Sequence, residues 1–472
     1  MSDSTISWAR DEFGRANLGD ARRTSRLVLL AAGFADRPAG KVTEPFSAPA
    51  ERRAVYRLMD NDEVSPDEVM NTSCESTVRR CDVLALALAV VPVDGSSLNV
   101  TDDVRMRGTG PVGARSKGAR GFQVMTAIGV APDGTPLGLL GQTMWSRPEV
   151  AAKRPTRLRS WEDKETKHWV KVLDDVRARF DGHGTRPWFQ LDRGGDAWPV
   201  LEAAHRDDVY VTVRSAQDRR LLGDKPGDIG QYLWETLRAS EPLGQFNIDV
   251  VARAGRAARE ATMTIRSRQV VLETRDALTN SRGAIPVWAV FAIETGTTPA
   301  GEKPLEWMLL TTRPADTFEE ACTVVLAYTY RWKIEEFHKV WKTGGCNVED
   351  TQLQSAHGIQ LLAVVLASVA MRLLRIMWLS RKKPAAPATV EFSQDEIEAV
   401  YALKKVKRPA RDKPSISKIT LWIAELGGYT GKSSGGPPGV ITLGRGWAQV
   451  EPVARVLHTL RERGVIPEEF EK

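Results

Sequence analysis

The sequence predicts a mixed α/β protein, with a strand-rich middle held between helical ends. Three observations predict it. Before about residue 75 and after Ala363, apolar residues recur at helical spacing behind capping residues. From about 96 to 145, and again from Val209 to Thr311, short apolar runs alternate with turn residues. Between strands and final helices, Tyr328, Arg331, Glu335, His338 and Lys342 are spaced three, four, three and four. Tyr330, Ile334, Phe337 and Trp341 repeat that spacing. On one helix these sets form a polar and an apolar stripe side by side.

The chain has 472 residues, enough for two or three domains, and a hydrophobic content of 42%, ordinary for a globular protein. A net charge of +6 is mild for this length and argues only weakly for a polyanionic partner. Cys74, Cys81, Cys322 and Cys346 lack Cys-x-x-Cys spacing, which disfavours a zinc site or a disulfide framework and fits a reducing cytoplasm. The N-terminus lacks a signal-peptide pattern. The apolar runs Val83–Val93 and Leu361–Met371 are too short to span a bilayer, and the second reads as a buried helix.

The first segment reads as short helices. Asp20 is a candidate N-cap for a basic helix carrying Arg22, Arg23 and Arg26, and a second basic segment holds Arg52, Arg53, Tyr56 and Arg57. Each reads either as a solvated charged face or as a surface that grips phosphates. Leu98–Val100 is a short strand leading to Asp102 and Asp103. Gln123–Val130 and Leu137–Met144 flank the hairpin turn Pro132-Asp133-Gly134. Glu162–Phe180 is an amphipathic helix, and Trp188–Leu191 a strand ending at Asp192. A long β-rich interval follows: Val209–Val213, Asn247–Ala252, Ala261–Ile265, Val270–Glu273, Val287–Ile293 and Met308–Thr311. After Ala363 come helices, a basic Pro-rich linker at Arg381–Ala388, a basic run at Lys404–Pro409, a helix at Ser417–Leu426, a Gly/Ser/Pro loop at Gly427–Gly439 and a terminal helix at Val453–Arg463.

One acid thus follows an early strand, another a later strand, and a third lies on a late helix. Three carboxylates gathered by a sheet can hold two divalent cations about 3.5–4 Å apart, which activate an oxygen nucleophile and relieve charge on a leaving oxygen. The candidates are Asp102, Asp192 and Glu335. A slip of one residue would choose Asp103 instead of Asp102. Asp94 is a weaker competitor in a Gly/Ser turn, and Glu336 competes with Glu335. The bland readings are a turn-capping Asp192 and a solvent-exposed i, i+4 pair between Arg331 and Glu335. His168, His183, His205, His357 and His458 have no ligand spacing.

The wording of the late helix adds to this. Tyr328-x-x-Arg331-x-x-x-Glu335-x-x-x-x-x-x-Lys342, with Trp332, Ile334, Glu336-Phe337-His338-Lys339 and Trp341, resembles the signature of DDE-type cut-and-paste transposases of bacterial insertion sequences. Within them it is most like the hairpin-forming subclass, to which the transposase of the kanamycin-resistance composite transposon belongs. Leu18-Gly19-Asp20-x-Arg22-Arg23-Thr24-x-Arg26-Leu27 and Ala54-Val55-Tyr56-Arg57 resemble that family's end-binding domain, and Phe189–Asp196 its second-acid strand end. The family's first acid is usually followed by Thr, where this chain has Asp102-Asp103.

The resemblance implies a ribonuclease H-like catalytic core at 76–375 with a β-rich insertion at about 209–312, an end-binding domain at 1–75 and a dimerisation and DNA-contact domain at 376–472. It implies Mg2+, with Mn2+ as substitute, at two ions per site. Arg331 and Lys342 would hold phosphates, Tyr328 would donate a hydrogen bond to the DNA backbone, and Arg193 would touch the same strand. His338 would sit nearby for proton transfer or pack as an ordinary imidazole. Trp307, in Pro304–Thr312, would stack on a flipped base or serve as a core residue. Arg22, Arg23, Arg26, Arg52, Arg53 and Arg57 would contact the transposon end. The expected partners are double-stranded DNA and a second copy of the chain in a paired-end complex, with no membrane and no small-molecule substrate, in the bacterial cytoplasm at the nucleoid. The rival readings are a catalytically silent DNA-binding regulator of the same descent and an unrelated carboxylate glycosidase.

Overall fold

The computed structural model describes residues 3–100, 108–113, 118–149, 159–222, 231–250, 257–275, 282–409, 411–431 and 436–465. The chain opens with helices α1 (Asp3–Phe13), α2 (Ala21–Asp36), α3 (Pro49–Met59) and α4 (Pro66–Val83). Asp20 caps α2 through the Arg22 N–H, and Ser65 caps α4 through the Glu68 N–H. Then follow strands β1 (Leu88–Val100), β2 (Gly110–Pro111), β3 (Arg120–Val130) and β4 (Pro136–Trp145). Beyond them run α5 (Thr166–Arg179), β5 (Arg186–Leu191), α6 (Trp198–Arg206), β6 (Tyr210–Arg214), α7 (Leu233–Ala239), β7 (Gly244–Val250), β8 (Arg259–Arg275), β9 (Arg282–Thr295) and β10 (Glu306–Thr311). The rest is helical: α8 (Phe318–Thr329), α9 (Lys333–Lys339), α10 (Ala356–Lys382), α11 (Gln394–Leu403), α12 (Ile416–Leu426) and α13 (Val440–Glu462).

Contacts divide the chain into two compact units. The first comprises residues 1–84, 95–149 and 335–472, and the second residues 85–94 and 150–334. In the first unit β3 and β4 form the expected hairpin, closed by Gly134 at φ +89 and by Asp133 accepting from the Thr135 N–H. The later half of β1 lies against β3, where Gly121 meets the Leu98 carbonyl. At the centre is α10, packed on α2, α3, α4, α12 and β4. It is long and apolar enough to cross a membrane, but 89% of its most apolar stretch is buried in the protein. The helix is longer than the run Leu361–Met371 suggested, because Ser355 caps it and apolar positions continue to Leu379.

The two ends of the chain meet inside this unit. The Ser4 hydroxyl donates to Glu396 at 2.6 Å and the Thr5 hydroxyl to Asp36 at 2.8 Å. The Arg372 guanidinium lies over the rings of Trp8 and Trp447 at 5.4 and 5.3 Å. The stretch expected as a linker, Arg381–Ala388, is ordered instead. It finishes α10, and Ala386 and Ala388 exchange backbone hydrogen bonds with Ile416 and Pro414. The helix α11 has no counterpart in the expectation, and α13 begins at Val440 rather than Val453, continuing through Pro452.

In the second unit the early half of β1 pairs in parallel with β5, and β5 in parallel with β6. The sheet continues antiparallel through β10, β9, β8 and β7. Thus β1 has an antiparallel meander beside one stretch and parallel neighbours beside the other, the pattern that a ribonuclease H-like core requires. Val209–Val213, grouped on sequence with the β-rich interval, belongs to β6 and extends the parallel part. Ala261–Ile265 and Val270–Glu273, expected as two strands, are one strand paired with β9 from Thr262 to Arg275. Arg259 ties that ladder to Glu294 and Glu302 at 2.8 and 2.5 Å.

Candidate functional site

The register of β1 on β5 decides where chemistry can gather. Val93 pairs with Leu191, so the next residues, Asp94 and Asp192, fall opposite each other on neighbouring strands, about 5 Å apart at the backbone. Asp192 keeps an extended backbone (φ −80, ψ −169), and its Oδ1 accepts from the Gly194 N–H at 2.7 Å. It therefore does cap a turn, as the bland reading had it, while standing beside another acid. Asp94 lies within β1 and not in a turn as its Gly/Ser neighbours suggested. β6 runs parallel to both strands and ends at Arg214. Ligands of open parallel sheets bind beyond the carboxyl ends of the strands, and these three residues lie where the parallel pairing of β1, β5 and β6 ends.

Two residues from the signature join them. The Arg331 Nη1 lies 3.8 Å from the Asp94 Oδ2, and its guanidinium carbon 4.5 Å from the Trp332 ring centre. Arg331 is only 5% exposed. Tyr328 is buried, and burial pushes its phenol up to about 12, with the nearby Asp192 adding to the rise and Arg331 and Arg214 opposing it. Burial holds the Arg214 guanidinium below its usual range, with the cations Arg193 and Arg331 acting in the same direction. Arg193 itself is exposed. The Trp307 ring stands edge-on to Tyr328 at 6.2 Å and is 8% exposed, so it packs as a core residue.

Glu335 opens the first unit's share of the signature. The expected single helix does not form. α8 passes through a 3-10 turn at Tyr330–Trp332, then α9, then a π turn at Val340–Gly344. Each changes the rotation per residue and so departs from the regular helical spacing that the two stripes assume. Tyr328, Arg331 and His338 are buried, Lys342 is half-buried, and Glu335 and Glu336 are exposed. Of the apolar set, Ile334, Phe337 and Trp341 are buried as expected, and Trp341 donates to the Ala363 carbonyl at 2.9 Å. Burial, with help from the Lys342 cation, pushes the His338 imidazole down to about 4. His338 Nε2 has no hydrogen-bond partner among the described residues. A neutral packed imidazole fits this better than a proton carrier.

Asp102 and Asp103 lie outside the described residues. Among those described, no group of three or more His, Cys, Asp or Glu could hold a metal ion. Asp94 and Asp192 form a pair of hard oxygen donors, with the Asp192 Oδ1 already engaged. One or two carboxylates completed by waters and substrate phosphates is the usual protein share of a magnesium site, so the pair fits that ion. Sequence reasoning set Asp94 aside and overlooked Arg214. Each follows an apolar run, Leu88–Val93 or Val209–Val213, the same signal that picked out Asp192.

Residues 5–64 match the family model described as transposase DNA-binding, and residues 368–462 the one described as transposase Tn5 dimerisation domain. These two matches, one near each end of the chain, support a likeness to Tn5-type transposases. The segment matched by the DNA-binding model presents Arg22, Arg26, Arg53, Arg57 and Tyr56 to solvent. Arg22 pairs with its own N-cap, Asp20, at 2.8 Å, and hydrogen bonds from Arg22 hold that carboxyl at about 2. Arg23 donates to the Leu18 carbonyl at 3.0 Å and also to Glu63, while Arg52 donates to the Phe46 and Ser47 carbonyls. Those two brace loops of the domain, leaving Arg22, Arg26, Arg53 and Arg57 as its exposed cations among the six. The dimerisation domain supports pairing of two copies.

Proposed function

We propose that this protein is a transposase that excises and inserts a DNA element by metal-dependent cut-and-paste chemistry, with Asp94, Asp192 and Glu335 as its carboxylates. The observation that carries the reading is the register Val93↔Leu191, which sets two acids side by side at the carboxyl ends of parallel strands, with Arg331 against one of them. Asp94 is taken as the first acid because it stands beside Asp192 with Arg331 against it, whereas Asp102, the choice from sequence, lies outside the described residues. Bound divalent ions would supply nucleophile activation and charge relief on the leaving oxygen.

The chain's own groups then do the following. Arg331 and Lys342 hold phosphates flanking the scissile bond, with Arg193 and Arg214 adding positive charge beside Asp192. Tyr328, protonated at neutral pH, donates to the DNA backbone. Trp307 would have to leave its contact with Tyr328 to stack on a flipped base. Water breaks one strand at the transposon end. The freed 3′ hydroxyl attacks the opposite strand, forming the hairpin's P–O bond as the flanking P–O bond breaks. A second water opens the hairpin, and the 3′ hydroxyl attacks target DNA. Two copies bring two ends together, in the bacterial cytoplasm at the nucleoid. Residues 1–75 bind ends, 76–375 cut, and 376–472 pair the copies.

The test is cleavage of a duplex bearing the element's own terminal sequence, with magnesium. Wild type nicks and forms hairpins. Asp94→Asn, Asp192→Asn and Glu335→Gln bind and lose cutting by about a thousandfold or more, while Asp102→Asn cuts as wild type. Cutting retained by Asp94→Asn and lost by Asp102→Asn returns the first acid to Asp102. A wild type that binds and never cuts, even with manganese, is a regulator.

A further inference from the structure

Past the signature the chain doubles back. The Cys346 N–H closes the π turn on the Val340 carbonyl at 2.9 Å, and Asn347 takes a left-handed conformation at φ 51. A 3-10 turn at Val348–Asp350 follows. This brings Glu349 back to Lys342, with Nζ and Oε1 at 3.4 Å. The same Glu349 oxygen accepts the Asn99 N–H at 2.9 Å, at the end of β1. The two side chains are 23% and 18% exposed, so the pair is poorly screened compared with one on the surface. The turn has little room to swing: a Cβ on Gly40 of the DNA-binding domain would lie 2.0 Å from the Asn347 carbonyl oxygen.

We propose that Glu349 is a positioning residue that occupies Lys342 in the free protein as a stand-in for a DNA phosphate. The inference rests on the phosphate-holding role given to Lys342 above. A carboxylate and a phosphodiester offer the same anionic oxygen to an ammonium, and they repel each other when brought to the same cation. DNA must therefore displace Glu349 from Lys342, and the carboxylate left behind takes up a cation. That uptake offsets part of the counterion release that drives binding. Glu349 keeps Lys342 aimed while the site is empty and sets a threshold that only a well-placed phosphate crosses.

The experiment is fluorescence anisotropy of a duplex carrying the element's terminal sequence, without divalent metal, across a range of sodium chloride. Glu349→Gln keeps an acceptor for the Asn99 N–H and removes the charge. It binds about two- to fivefold tighter than wild type, and its log–log salt dependence steepens by about one unit. Glu349→Asp, one methylene shorter, moves the same way by less and serves if the Gln variant folds poorly. In a Lys342→Met background Glu349→Gln gains nothing, whereas a general charge effect would persist there and overturn the proposal. Weaker binding by Lys342→Met together with no gain for Glu349→Gln also overturns it. Unchanged binding by Lys342→Met defeats instead the phosphate role beneath it.

Discussion

Asp94 and Arg331 show how one site can be legible in part. Arg331 was readable because its neighbours at helical spacing form a specific pattern. Asp94 was not, because Gly95-Ser96-Ser97 reads locally as a turn, while in the fold β1 runs on through those residues against β3, and a Cβ on Gly95 would lie 4.0 Å from the Val124 carbonyl oxygen. Tertiary pairing overrides local propensity there. Tyr328 carries a further consequence at this scale. Its phenol, held up at about 12 by burial, stays protonated across the working range and remains a donor. Tyr328→Phe removes the donor and keeps the ring that meets Trp307. Cleavage then slows about tenfold, the worth of one hydrogen bond to a charged group, while the rate–pH profile keeps its shape. A profile whose alkaline limb disappears in the variant would mean that the hydroxyl titrates during turnover.

Among the elements, the signature helix was legible as helical and amphipathic but not as three successive geometries. The π turn depends on Gly344 and Gly345: a Cβ on Gly344 would lie 2.8 Å from the Lys339 carbonyl oxygen, and one on Gly345 2.9 Å from Val440. Such local crowding leaves no trace in an apolar periodicity. The hairpin β3–β4 was legible because its turn chemistry is local, whereas β8 was split in two because Arg266, Ser267, Arg268 and Gln269 break the apolar run that its pairing with β9 keeps extended. Gly121 shows the same dependence on pairing. A Cβ there would fall 1.8 Å from the Leu98 carbonyl oxygen, a backbone atom that cannot rotate away. Gly121→Ala must push β3 from β1, and we expect about 3 kcal/mol of lost stability, read as a lower urea midpoint for unfolding. A variant as stable as wild type would show that the strands separate at no cost and that the register is not fixed there.

At the scale of the molecule, the DNA-binding and dimerisation segments, far apart in sequence, fold into one unit around α10, and the contact carries titratable groups. Asp36 is buried, which pushes its carboxyl up to about 7, and the nearby carboxylates Glu451 and Glu396 add to the rise. His338, in the same unit, is pushed down to about 4. The two act in opposite senses. For His338 the unfolded chain takes a proton near 6.5 and the folded chain only near 4, so stability falls as pH drops through that window. For Asp36 the unfolded chain releases its proton near 3.8 and the folded chain only near 7, so stability falls as pH rises from 3.8 to 7 and the loss is complete above that. Asp36→Asn cannot ionise and still offers an oxygen to the Thr5 hydroxyl. Its advantage over wild type should therefore grow with pH, reaching about 1–3 kcal/mol near pH 8. Urea unfolding of both proteins at acidic and mildly alkaline pH measures this. A difference that stays constant with pH would mean that Asp36 ionises in the folded protein as easily as in the unfolded one, and that the junction between the two segments is not sensitive to pH through this residue.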